Sequence, residues 1–187
     1  MSNSILLDLT RRYLEPHRRY HNLQHIAHML QGASEAAASQ GKSLSDAQVF
    51  AVWFHDAIYD TSAHDNEEKS AALAVQLLTR SGRPAAEIEL VRAIVLDTKH
   101  HIPQLEESKA VIDADLQTLA LPWAGYMKIG NLIRLEYAQV SDAQWTTGRT
   151  QFFQSWLQRP RIFYTPWGDK FEKQARENLK RTIAGEV

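Results

Sequence analysis

The sequence predicts an all-α fold, and three observations carry that reading. Apolar residues recur at helical spacing in segment after segment. Capping residues, glycines and prolines punctuate those segments where helices would start and stop, and alternating strand patterns are absent. Ile5, Leu6, Leu9 and Tyr13 recur in three- and four-residue steps until Pro16 ends the first helix. Asn22 to Gln40 reads as a second, stopped near Gly41. Ser45 and Gln48 form a capping-box pattern and open a third helix, expected to run to about Tyr59. Asp65 and Glu68 repeat the pattern for a fourth, closed by Gly82 ahead of Pro84. A fifth covers about Ala85 to Thr98, with Ile88, Val91, Ile94 and Val95 inward, and a sixth about Glu107 to Leu119, ended by Pro122. Then come an apolar stretch from Tyr126 to Val140 and a helix capped by Ser141 and Gln144 that reaches Leu157. The segment from Pro160 to Gly168 is expected to be irregular, and Phe171 to Ile183 is a last helix. Neither a repeat nor a linker divides the chain, so residues 1–187 are expected to form a single domain.

Composition narrows the function classes. A net charge of −1 with scattered Lys and Arg argues against a nucleic-acid polymer as partner, while leaving a nucleotide open as a small substrate. The chain has no cysteine, so any transition metal must be held by imidazole nitrogen and carboxylate oxygen. Met1 to Thr10 is a short amphipathic stretch with Asp8 inside it and does not read as a signal peptide. Apolar runs fall short of membrane-spanning length, so no membrane association is expected and the cytoplasm is the expected compartment. The eight histidines all lie at or before His101, which puts the chemistry in the first two thirds.

Three constellations carry that chemistry. In the first, His21, His25 and His28 fall on one arc if the segment is helical, with Leu23, Ile26 and Leu30 opposite. A partly solvated polar face would look the same. The second is His55-Asp56, at the end of a helix that is apolar nearly all round through Val49, Phe50, Val52, Trp53 and Phe54. An ionised aspartate there is costly unless paired or coordinated, although a His-Asp pair could also cap the helix. The third is Asp113 and Asp115. On a helical wheel Asp115 falls inside the apolar arc of Val111, Ile112, Leu116 and Leu119, and Asp113 falls outside it. A core-facing carboxylate needs a cation, either a metal or an internal Arg or Lys.

In this order and spacing the motifs YHNLQHI (20–26), FHDAIYD (54–60), DNEEKSA (65–71), DTKHH (97–101) and DADL (113–116) resemble the HD-domain superfamily. The chain is most similar in pattern to the bacterial predicted metal-dependent HD phosphohydrolases that carry a Tyr-His-Asn-x-x-His-Ile start. The resemblance covers Pro16 to about Leu119 well and the tail more loosely, through RPRIFYTP (159–166) and ARENL (175–179). It implies a helical bundle with a metal-site core at about 16–119 and additional C-terminal helices at about 120–187.

Carried over residue by residue, the resemblance makes His25, His55, Asp56 and Asp115 the primary metal ligands, with His55 and Asp56 central to catalysis. Such a set suits Mn, Fe, Co, Ni or Zn. The implied reaction is hydrolysis of a small molecule's phosphate ester by a metal-activated water. His21, His28, His100 and His101 are candidates for a second metal or for contacts behind the ligands, and which of His100 and His101 faces the site is open. Arg18, Arg19 and Lys69 are candidate phosphate contacts, and Arg161 could reach in from the tail. Asp60 and Glu67 could orient water or a ligand histidine. Trp145, Phe152, Phe153 and Trp156 are expected as core packing or a dimer face, leaving monomer and homodimer both open. A di-iron oxygenase and a non-enzymatic metal-binding or regulatory module are the alternatives.

Overall fold

The computed structural model describes residues 3–186; Met1 and Ser2 of the N-terminal amphipathic stretch lie outside them. Ten α-helices and no strand occur among the described residues. α1 (Asn3–Tyr13) buries Ile5, Leu9 and Tyr13, at the predicted spacing. α2 (Leu23–Ser39) starts where the Asn22 side chain accepts the Gln24 amide. α3 (Asp46–Phe54) opens on a capping box of Ser45 and Gln48. α4 (Asn66–Arg80) and α5 (Ala85–Thr98) pack along each other, and α2 packs along α6 (Glu106–Leu116). A 3-10 turn (Gln117–Ala120) leads into α7 (Trp123–Glu136). α8 (Asp142–Leu157), capped by Ser141 and Gln144, the short α9 (Pro166–Asp169) and α10 (Glu172–Ile183) complete the chain.

The apolar side chains gather into two main clusters. The larger holds Leu9, Tyr13, Ile26, Met29, Phe50, Phe54, Val91, Ile94, Val95 and Val111. The second holds Ile112, Leu116, Phe153, Trp156, Ile162, Phe163 and Leu179. α6 serves both, giving Val111 and Ala114 to one and Ile112 and Leu116 to the other. It is therefore covered on nearly every side, and this corrects the wheel reading of its two aspartates. Asp113 was expected outside the apolar arc, yet it is fully buried. Its carboxylate accepts from the Tyr164 and Thr165 amides and the Thr165 hydroxyl, at 2.7, 2.8 and 2.6 Å. The tail thus pins itself onto α6. Gly168 makes that approach feasible, because a Cβ there would stand 2.3 Å from Asp113 Oδ2 and 2.6 Å from Phe163 Cβ.

Several local details differ from expectation: α6 stops at Leu116 and passes into the 3-10 turn short of Leu119, and the end of the segment expected to be irregular forms α9. α3 stops at Phe54 instead of running to Tyr59. Arg18 takes the carbonyls of Asp56 and Ala57, and the Ser70 hydroxyl accepts the Ile58 amide. Those backbone groups find partners outside a helix, so the helix ends. At α4 the Asp65 side chain makes no capping bond; it pairs with Lys69, and Glu68 pairs with Lys99. No helix among the described residues is long and apolar enough to cross a membrane.

Candidate metal centre

His25 enters the site from the first turn of α2, and His55 and Asp56 from the chain just after α3. Both imidazoles are almost wholly buried, at 3% and 2% exposure. His55 Nδ1 lies 2.8 Å from the Val52 carbonyl, which can only accept, so Nδ1 carries the proton. In the neutral ring the Nε2 lone pair then faces His25 Nε2 at 3.3 Å and Asp56 Oδ2 at 3.1 Å. One ligand atom from each of His25, His55 and Asp56 can be chosen so that all lie within 4.8 Å of one another. Asp115, on α6, joins through Oδ1, 3.2 Å from His25 Nε2. Its other oxygen is 3.1 Å from His101 Nε2.

This convergence of lone pairs in a buried place calls for positive charge. Burial alone would lower the His55 imidazole, but the adjacent Asp56 carboxylate outweighs it and lifts the group to about 9. Burial also opposes ionisation of Asp56 and Asp115, yet the histidines beside them hold both carboxyls below the usual range. His25 goes the other way, lowered by burial against the partial support of Asp115. His25, His55 and Asp56, with one imidazole fixed from behind by a carbonyl, form a group that could hold a divalent transition ion, and Asp115 reaches that group through His25.

The other histidines separate sharply. His21 precedes α2 instead of sharing its face, so the expected three-histidine arc does not form. Its Nδ1 bonds Glu136 Oε2 at 2.6 Å, and its Nε2 lies 3.9 Å from Asp56 Oδ2. His28 is exposed, as is His100, and neither lines the cavity described below. His101 faces inward: its backbone has φ 51°, a left-handed conformation uncommon outside glycine. Tyr164 Oη and Arg159 Nη1 both donate to the His101 carbonyl and hold that turn. His101 Nδ1 is buried without a hydrogen-bond partner.

The candidate phosphate contacts need correction. Arg18 is not a solvated cation: its side chain is enclosed and bonds Glu15 and the carbonyls of His21, Asp56 and Ala57. It shapes the loop that carries Asp56. Arg19 and Lys69 are exposed and do not line the cavity, and Lys69 is engaged by Asp65. Arg161 pairs with Asp169 outside the cavity. Asp60 accepts from Ser62 in an exposed turn, whereas Glu67 lines the cavity.

That cavity, about 470 Å³, has His21, His55, Asp56, His101 and Asp115 among its polar lining and apolar and aromatic residues of α7 and α8 in its walls. Trp145, Phe152, Phe153 and Trp156 all line it, and of these Phe153 and Trp156 also pack the core. Glu136 is the residue the sequence reading missed. It is buried at the end of α7, and its Oε1 accepts the Arg19, Tyr20 and His21 amides while Oε2 takes His21 and Tyr59. The signal was present: Ile129, Ile133 and Glu136 recur at helical spacing, so an acid shares the face of two residues that line the cavity.

Set against known proteins, the chain matches no family model, no curated protein and no solved structure.

Proposed function

We propose that the protein is a metal-dependent phosphohydrolase of the HD type, acting on a small phosphorylated molecule. The observation that carries this reading is the meeting of His25, His55, Asp56 and Asp115, drawn from three separate parts of the chain, beside an aromatic-walled cavity. The resemblance of the motifs to the HD superfamily supports it. When bound, a divalent ion supplies a water of lowered pKa and polarises a phosphoryl group. The protein's own share is positional. Val52 fixes the His55 tautomer, Arg18 fixes the backbone that presents Asp56, and Glu136 fixes the His21 ring beside Asp56.

A second reading, a di-iron oxygenase, draws on His101, whose approach to Asp115 adds a third imidazole to the cluster. Metal content separates the two: two irons per chain favour oxygenation, and one Mn-, Co- or Zn-type ion favours hydrolysis. The direct test is phosphomonoester hydrolysis with added Mn, Co or Zn. Parent protein should turn over substrate, and His55→Ala and Asp56→Ala proteins should lose at least about a hundredfold of that rate. Equal rates in parent and variants would sink the assignment.

A further inference from the structure

Two Lys or Arg side chains line the cavity among the described residues, Lys99 and Arg149. Lys99 is already engaged, its ammonium held by the Glu68 carboxylate and the His64 carbonyl. Arg149 has no carboxylate partner among the described residues; its hydrogen bond is a long one, 3.4 Å from Nη2 to Tyr126 Oη. The guanidinium instead lies 5.1 Å from the Phe153 ring, 5.8 Å from Tyr126 and 5.9 Å from Trp145. Aromatic faces orient a planar cation while leaving most of its N–H fork free. A Cβ at Gly130 would stand 2.8 Å from Arg149 Nη2, so glycine there leaves the guanidinium its place.

A half-buried cation with spare donors, in a cavity that also holds Asp56 and Asp115, is built to offset negative charge brought in by a ligand. The neighbouring surfaces describe the rest of that ligand. Trp145 and Tyr137 line the same cavity with rings 5.3 Å apart, and Phe152, 49% exposed, lines it too. Flat apolar rings in the lining of a cavity suit a flat apolar group.

We propose that Arg149, oriented by the rings of Phe153, Tyr126 and Trp145, is the anion anchor of this cavity, and that the ligand is a phosphate ester whose organic part carries a flat aromatic ring. The identity of the reacting end rests on the phosphohydrolase reading above; the anchor itself does not require turnover. The test is calorimetric titration with phenylphosphonate, which cannot be hydrolysed as an ester, against parent, Arg149→Gln and Gly130→Ala proteins. Loss of a charge-assisted fork is expected to weaken binding roughly tenfold or more in Arg149→Gln. Gly130→Ala keeps the guanidinium and displaces it, so it should weaken binding in the same direction, and it serves if Arg149→Gln fails to fold. No binding by the parent, or equal binding by all three proteins, overturns the anchor. Methylphosphonate binding the parent as tightly as phenylphosphonate overturns the aromatic part. Turnover is read separately: binding that depends on Arg149 without hydrolysis of any phosphomonoester upholds the anchor and rejects the phosphohydrolase reading.

Discussion

Glu136 joins the C-terminal part of the chain to the motif around Tyr20 and His21. Three backbone amides, an imidazole and a tyrosine hydroxyl converge on one buried carboxylate. Burial raises its pKa, but these donors, led by His21, outweigh that and hold it at about 2, against an ordinary 4.5. A depressed carboxyl binds fewer protons folded than unfolded, so its stabilisation is present above about 4.5 and is lost as pH falls toward about 2. Glu136→Gln keeps the shape, removes the charge and turns an amide toward two donors. It should lower stability at pH 7 by about 2 kcal/mol. Urea denaturation at pH 7 and pH 3 checks this, because the gap between parent and variant should narrow at the lower pH. A gap that is unchanged or wider at pH 3 would contradict the assigned role.

At the scale of elements, two similar sequence patterns have different outcomes. Ser45-x-x-Gln48 forms a reciprocal capping box, whereas Asp65-x-x-Glu68 sends both side chains to lysines. Local pattern proposes a cap, and neighbours in space decide whether a side chain takes it. Ser45→Ala should therefore cost about 1 kcal/mol. Asp65→Ala should cost only a few tenths, since an exposed ion pair contributes little. Thermal or chemical denaturation of the two variants side by side measures the difference, and equal losses would show that Asp65 caps after all. α6 teaches a related lesson: a wheel drawn for a helix packed on one side misplaced Asp113, because the tail covers the side that the wheel left open.

For the whole molecule, the candidate metal centre joins segments far apart in sequence, so an ion binding there should stabilise the fold cooperatively. Ligand at a hundredfold excess over its dissociation constant adds about 2.7 kcal/mol. For a chain of this size that corresponds to a rise in melting temperature of roughly 5–10 °C. Scanning calorimetry with and without Mn or Zn should show that rise in the parent and its loss in Asp56→Ala. No shift in the parent at saturating metal would reject the site.

The sequence by itself determined the helical class, most helix limits and the pairing of His55 with Asp56, because these follow from periodicity, capping and adjacency. The resemblance of its motifs also pointed to His25 and Asp115, but a carboxylate placed among apolar neighbours describes Asp113, which is fully buried, whereas Asp115 faces the cavity. Which of His100 and His101 turns inward was decided by Tyr164 and Arg159, more than fifty residues downstream, as they hold the His101 carbonyl. The enclosure of Arg18, the gathering of donors on Glu136 and the room that Gly130 leaves for Arg149 were likewise settled only in three dimensions. The physical reason is common to all of them. A polar side chain's role is fixed by which partners lie within hydrogen-bonding reach, and for these residues the packing of distant helices supplies those partners.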